Sequence, residues 1–433
     1  MKFGGTSVGS AERIRNVAGL VRSSGQSLVV LSAMAGTTNT LVEISGYLYN
    51  HNSEGAIDTI KRLESAYMRH IEELYDTEEY RALAEGYVKD IFNYLTTFTK
   101  QLFTEKEEKI VLAQGELMST HMMMYYLQEQ GVEVTMLPAL DFMKIDRLGE
   151  PEQDYIKSHL CSMMKAHPSE LYLTQGFICR NSHDEVDNLK RGGSDYTASL
   201  VGAATGAEEI QIWTDIDGMH NNDPRVVDRT SAVRHLHFDE AAELGYFGAK
   251  ILHPTCIQPA RFANIPVRLL NTMDPQAPGT IIDNRQEYGT IKAVAAKDNI
   301  TAIKIKSSRM LLAYGFLRKV FEIFESYQTS IDMISTSEVG VSMSIDDTKH
   351  LNEIVHDLKK YGTVTVDLDM CIICVVGDMD WENLGFESRV MDAMKEIPVR
   401  MVSYGGSNYN ISFLIREEDK KRALRALSAS LFD

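Results

Sequence analysis

Short apolar runs alternate with longer amphipathic segments over the first two-thirds of the chain. Leu28–Leu31, Leu171–Thr174, Ile210–Trp213 and Pro266–Leu270 have the length and residue types of strands. Each ends in small or polar residues: Ser32-Ala33, Gln175-Gly176, Thr214-Asp215 and Asn271-Thr272. Strands that alternate with helical stretches predict an open, largely parallel α/β sheet. Ligands in such sheets bind beyond the carboxyl ends of the strands, so these polar residues are the first site candidates. Residues 53–130 lack proline and are rich in Glu, Lys, Leu, Ala and Tyr, which predicts helix. Within them, Gln114–Thr120 stands out, because a glycine interrupts the pattern beside a carboxylate.

A boundary is expected near residues 274–292. Asp274–Gly279 is turn-rich, and a short strand, Thr280–Ile282, follows it. Beyond the boundary the pattern repeats. Gly315–Val320 recurs 70 positions on as Gly385–Val390, and Ile331–Ser335 recurs 68 positions on as Val399–Ser403. Each copy predicts a glycine-started amphipathic helix, an alternating strand, then a second strand and helix. That is the β-α-β-β-α-β order of a ferredoxin-like unit. Two copies are too few for a solenoid and predict a paired sheet module.

A chain of 433 residues predicts two or three domains, with cores large enough to need no disulfide staples. Its 44 basic and 61 acidic residues give a net charge of −17, a surface that repels nucleic acid and anionic lipid. An anionic substrate would need a locally basic pocket. The five cysteines, Cys161, Cys179, Cys256, Cys371 and Cys374, are odd in number and irregularly spaced, which argues against a disulfide framework. Cys371 and Cys374 have CxxC spacing but lie in an apolar run that reads as a strand. There they point to opposite faces and are expected to be core residues, not redox or zinc ligands. The N-terminus does not read as a signal peptide, and no apolar stretch of about 18 residues is present. A cytoplasmic protein without a membrane span is expected.

Four segments carry candidate chemistry. Gly4–Gly9 has the glycine spacing of a P-loop but lacks the following lysine; the lysine stands upstream, at Lys2. Paired glycines before a helix starting near Ala11 would let backbone N–H groups approach a phosphate, although an isolated Gly-Gly is more commonly a plain strand-to-helix turn. Arg191–Ala198 has two glycines and a helix start that Ser194 or Asp195 could cap. An arginine there matches a carboxylate. Trp213–Gly218 with Asn222–Arg225 suits the nucleotide side of a site, although Asp-Gly and Asp-Pro are also turn signals. Phe247–Pro254 places Lys250 after a glycine. Glycine-rich loops carrying Lys2, Arg191, Arg225 and Lys250 in an acidic chain fit phosphoryl transfer, whose catalysis is mostly positioning and charge neutralisation.

In order along the chain, Lys2–Val8, Leu31–Asn39, Gly115–Ser119, Thr174–Phe177, Arg191–Thr197, Trp213–Asp215 and Phe247–Lys250 resemble the motifs of aspartokinases. The resemblance spans nearly the whole chain. It implies an amino-acid-kinase-like three-layer α/β sandwich with a mainly parallel sheet over residues 1–285. Two ferredoxin-like ACT domains would follow over 286–433, with about 307–370 inserted within 292–306 plus 371–433. The strand Ile300–Lys306 would then pair with the distal repeat. The implied reaction is phosphorylation of the β-carboxylate of L-aspartate by ATP with Mg²⁺, the first step toward lysine, threonine and methionine.

By the same resemblance, Lys2 steadies the transferring phosphoryl group and Asp195 organises Lys2. Glu116 meets the substrate ammonium and Arg191 its α-carboxylate. Ser32, Thr38, Phe177 and Ser194 line the aspartate pocket. Gly4, Gly5, Thr6, Ser7, Thr214, Asp215, Arg225 and Lys250 serve the nucleotide. No dedicated protein ligands for the metal are expected. The attacking carboxylate is already ionised at neutral pH, so Asp195 is not expected to act as a base. Met310, Gly315, Ser330, Asp332, Thr336, Ser337 and Glu338 match the effector site of lysine-inhibited relatives, while Leu312 and Ala313 replace a His-Ser pair. Losing those polar partners is expected to weaken lysine binding or to change the effector's identity, and the ACT sheets are expected to pair into a homodimer or homotetramer.

The chain departs from the family pattern in two further places. It starts almost at Lys2, so the native start is expected upstream, and His220 stands where some relatives carry a tyrosine near the nucleotide. A kinase of another amino acid, such as glutamate, and a catalytically inactive amino-acid sensor are the competing readings.

Overall fold

The apolar runs of the first part of the chain become neighbouring strands. The computed structural model describes residues 1–189, 192–248, 253–307 and 314–432. In chain order its first elements are β1 (Lys2–Phe3), α1 (Ala11–Arg22), β2 (Ser27–Leu31), α2 (Thr37–Tyr49), α3 (Ser53–Leu74), α4 (Glu78–Thr97) and α5 (Glu105–Glu129). Next come β3 (Thr135–Met136), α6 (Ala139–Phe142), α7 (Gln153–Ala166), β4 (Leu171–Gln175), β5 (Ile178–Arg180), β6 (Val186–Asn188), α8 (Gly193–Thr205) and β7 (Ile210–Thr214). Then follow β8 (His235–His237), α9 (Phe238–Tyr246), α10 (Pro254–Ala263), β9 (Val267–Asn271) and β10 (Thr280–Asp283). The remainder comprises β11 (Ile291–Lys306), α11 (Phe316–Ser326), β12 (Met333–Ser337), β13 (Gly340–Ile345), α12 (Leu351–Leu358), β14 (Thr363–Gly377), α13 (Phe386–Met394), β15 (Val399–Tyr404), β16 (Asn410–Arg416) and α14 (Lys420–Leu431). No described helix is long and apolar enough to cross a membrane.

The chain divides into two compact units, residues 1–219 with 252–284, and residues 220–251 with 285–433. Residues 220–251, which the sequence boundary places with the first domain, pack in the second unit. In the first unit the strand order is β3-β4-β2-β1-β7-β9-β10. All of these pairings are parallel except the last, where β10 runs antiparallel to β9. Strand alternation sends Val29, Leu31, Leu171 and Leu173 into a core with α1 to α5. Tyr172 goes to the opposite face, into a core with α6, α7 and α8. Burial on both faces is why these strands read as near-continuous apolar runs. Helix α1 begins where Ser10 accepts the N–H of Arg13, and it buries Ile14, Val17, Ala18 and Val21. Helix α5 starts on a Thr104/Glu107 capping box.

In the second unit the sheet order is β12-β13-β11-β14-β16-β15. Both central strands are long and serve two halves. Residues 301–306 of β11 pair with β13 and with 363–367 of β14, whereas 293–297 pair with 372–376 of β14. The expected pairing of Ile300–Lys306 with the distal repeat is therefore corrected. That segment belongs to the proximal repeat, and Ile291–Lys297 serves the distal one. The change of partner falls at an irregularity marked by Asn299, with φ 58°, and 70 positions on β14 turns at Asp369, with φ 54°. Each half has its own core: Phe316, Val320 and Phe324 of α11 with Ile354 and Leu358 of α12, and Phe386, Val390 and Met394 of α13 with Leu424 and Leu427 of α14. Gly315 and Gly385, both left-handed, start the matching helices. Cys371 packs with Ile373 and Val375 on one face of β14, and all five cysteines are free.

Candidate active site

At the carboxyl ends of β1, β2 and β4, a cavity of about 280 Å³ opens. Gly5, Ser32, Thr38, Glu116, Phe177 and Ser194 line it, together with residues 33–36, Asn39 and Gly193. The sequence candidates for the substrate pocket thus come together, apart from Arg191. That residue, with Lys250 and Met310, lies outside the described residues.

Glu116 sits mid-way along α5 and is only 3% exposed. Its Oε1 accepts the backbone N–H of Ala33 at 3.1 Å, while Oε2 has no hydrogen-bond partner among the described residues. Burial pushes its carboxyl up to about 8, against the pull of the Ala33 N–H and the charge of Lys2. Such a group favours a neutral state until a cation arrives. The neighbouring Gly115 has no room for a side chain: a Cβ would stand 2.7 Å from that of Ala33.

Strand β1 turns Phe3 into the core, where it stacks on Trp213 at 5.7 Å between ring centres. Lys2 therefore faces the other side, where α8 begins. Its Nζ is 2.6 Å from Oδ1 of Asp195. The expected cap of α8 is corrected: Gly192, with φ 75°, is the N-cap, and neither Ser194 nor Asp195 caps the helix. Any side chain at Gly192 would put a Cβ 1.9 Å from Sγ of Cys256, so only glycine fits. This frees Ser194 to accept from the Ser32 hydroxyl at 2.9 Å and Asp195 to hold Lys2. The N-termini of α2 and α8 both border the cavity, which favours anionic groups there.

The Gly4–Ser7 turn lies against β2 and β7. A Cβ on Gly5 would meet the Ala33 carbonyl at 2.8 Å, and Gly4 N–H reaches the Trp213 carbonyl at 3.4 Å. Ser7 is fully buried, with Oγ 2.8 Å from Oγ1 of Thr272, while Thr6 is exposed. Thr214 ends β7 and Asp215 follows it, exposed.

Arg225 belongs to the second unit, exposed and held by Asp223 at 2.8 Å. His220, in the same unit, bonds Thr230 at 2.8 Å. Of the effector candidates, Gly315 starts α11, and Ser330, Thr336, Ser337 and Glu338 are exposed on or beside the outer strand β12. The side chain of Asp332 is buried and bound to Lys297 at 2.7 Å. Among the described residues no three His, Cys, Asp or Glu side chains gather as a metal site.

Sequence reasoning did not assign Thr37, whose hydroxyl is 2.8 Å from that of Tyr67, or Ser119, which donates to the Ser32 carbonyl at 2.8 Å. Thr272 reads from the sequence only as a polar strand end.

The parallel sheet with glycine turns at its carboxyl edge is the architecture of the amino acid kinase family, whose model matches residues 1–271; an ACT domain model matches residues 373–431. Aspartokinase 3, chloroplastic, of Arabidopsis thaliana is 35% identical over all of this chain and 81% of its own length. Lysine-sensitive aspartokinase 3 of Escherichia coli (strain K12) is 32% identical over all of this chain and 98% of its own. The structure of E. coli aspartokinase III in complex with aspartate and ADP superimposes with a TM-score of 0.86, at 31% identity, over all of this chain and 99% of that one. The chain belongs to the aspartokinases.

Proposed function

We propose that this protein transfers the γ-phosphoryl group of ATP to the β-carboxylate of L-aspartate, giving 4-phospho-L-aspartate and ADP. The observation that carries the reading is Glu116: a buried carboxylate, with no cationic partner among the described residues, in the wall of a cavity sized for a small amino acid. The substrate ammonium supplies the missing cation. Ser32, Thr38, Phe177 and Ser194 form the walls, and by resemblance Arg191 takes the α-carboxylate.

A β-carboxylate oxygen attacks the γ-phosphorus. The bond from that phosphorus to the bridging oxygen breaks, and the electron pair leaves with ADP. No proton moves, because the attacking group is already an anion. Lys2, aimed by Asp195 at 2.6 Å, meets the transferring group, and the Gly4–Ser7 turn and the Thr214–Asp215 strand end hold the nucleotide. Mg²⁺ would come with the phosphates of ATP, keep several of its waters and offset their negative charge.

The second unit is the regulatory part. A further structure of E. coli aspartokinase III, in complex with lysine and aspartate, superimposes with a TM-score of 0.79 at 32% identity over all of this chain and 99% of that one. Lysine is accordingly the effector we propose, at Gly315, Ser330, Asp332, Thr336, Ser337 and Glu338. A homodimer or homotetramer that pairs through the ACT sheets is the assembly we propose. The free cysteines fit the reducing cytoplasm.

The test is hydroxamate formation from the acyl phosphate, with ATP and either L-aspartate or L-glutamate. Product with aspartate alone is expected. Product with glutamate alone would move the substrate, and product with neither would favour an inactive sensor.

A further inference from the structure

Three hydroxyl-bearing residues form a chain across the carboxyl ends of β1, β7 and β9. Thr272, directly after β9, gives both its backbone N–H and its hydroxyl proton to the carbonyl of Thr214, each at 2.8 Å. A hydroxyl has one proton. The 2.8 Å contact between Thr272 and Ser7 must therefore run from the Ser7 O–H to a Thr272 lone pair. Ser7 is fully buried and Thr272 is 6% exposed, so water does not substitute for either bond. The backbone N–H of Ser7 is also committed, to the Gly4 carbonyl at 2.9 Å. Ser7 thus gives no proton to a nucleotide. Its role is to anchor the glycine turn, and Thr272 is what it is anchored to.

We infer that Thr272 is a positioning residue for the nucleotide half of the reaction. It fixes the Gly4–Ser7 turn relative to Thr214, so that the two elements meet the phosphates in register. The inference rests on the proposed nucleotide role of that turn. The aspartate cavity is lined by none of Ser7, Thr214 and Thr272. Loss of the brace should therefore act on ATP and spare aspartate.

The experiment compares wild type, Thr272→Val and Thr272→Ser. It measures KM for ATP, KM for aspartate and kcat, together with ADP binding by calorimetry and Tm. Valine keeps the shape but strands the Ser7 hydroxyl, and KM for ATP and Kd for ADP should rise on the order of tenfold. KM for aspartate should stay near wild type, and Thr272→Ser should restore nucleotide affinity. The inference is overturned if Thr272→Val binds ADP like wild type. It is equally overturned if aspartate and ATP suffer alike, or if serine fails to rescue a variant whose Tm is unchanged. Absence of aspartate-dependent turnover in wild type would remove the proposed reaction, and ADP binding would still decide the role of Thr272. A wild type that binds no ADP overturns both.

Discussion

Two carboxylates are buried in this protein in similar fashion and put to different ends. Glu116 in the first unit is 3% exposed, and the side chain of Asp332 in the second is 1% exposed. Each has one oxygen engaged and one without a hydrogen-bond partner among the described residues. Burial pushes both carboxyls up. Asp332, however, has a cation from its own chain. Lys297 reaches it at 2.7 Å, reaches Asp346 at 2.9 Å, and lies 4.5 Å above the ring of Tyr246, whose hydroxyl also donates to Asp332. Glu116 has only a backbone N–H. A buried carboxylate beside a cavity, with no cation in direct contact among the described residues, is a receptor for one. A buried carboxylate with a cation supplied is a junction, here between β11 and β12. The pseudo-equivalent strands β14 and β15 carry a matching, more exposed bridge with the charges exchanged. Arg400, 68 positions after Asp332, holds Asp367, 70 positions after Lys297, at 2.8 Å. Either polarity serves a bridge. A cationic effector at Asp332 would have to share that carboxylate with Lys297.

The contrast breaks most visibly at Glu116. Glu116→Gln should lower kcat/KM for aspartate by roughly 10²–10³-fold, as expected for losing one partner of a buried charge pair. Steady-state kinetics check this, and a loss below about tenfold would place the substrate ammonium elsewhere. Lys297→Met should instead leave turnover intact and destabilise the second unit. Removing one partner of a fully buried pair costs about 3–5 kcal/mol, and the partial exposure of Lys297 brings the expectation to about 2–3 kcal/mol, read from urea unfolding.

The pH dependence of stability sharpens the comparison. Glu116 is raised from its ordinary value of 4.5 to about 8 in the folded chain. Below pH 4.5 folded and unfolded forms are both protonated, so the full stability is present. Between there and pH 8 only the unfolded form ionises, and stability falls with rising pH. The slope from this one residue is at most about 1.4 kcal/mol per pH unit, and Glu116→Gln should remove it. Urea titrations at pH 5 and 7.5 measure the difference. The smallest effect concerns Asp195. It aims Lys2 and abstracts no proton, so kcat should show no limb between pH 6 and 8 that disappears in Asp195→Asn.

Much of this was legible along the chain. The strands at Leu28, Leu171, Ile210 and Val267 follow from apolar runs, and the two ferredoxin-like halves follow from Gly315 and Gly385. What was not legible depends on distant partners. Ser194 and Asp195 look like helix caps, but Ser32 and Lys2 claim their side chains, and close packing on Cys256 leaves the cap to Gly192. The change of partner within β11 is hidden because the strand continues through Asn299 on both sides. Ser7 and Thr272 stand 265 positions apart, and no local pattern joins them.

The most direct test is calorimetry of L-aspartate binding at pH 7 in buffers of different ionisation enthalpy, with a non-hydrolysable ATP analogue present. With its carboxyl at about 8, free Glu116 is mostly protonated at that pH, and the incoming ammonium should expel close to one proton. The account predicts that release in wild type and its absence in Glu116→Gln. Aspartate binding without proton release, or no aspartate binding at all, would contradict it.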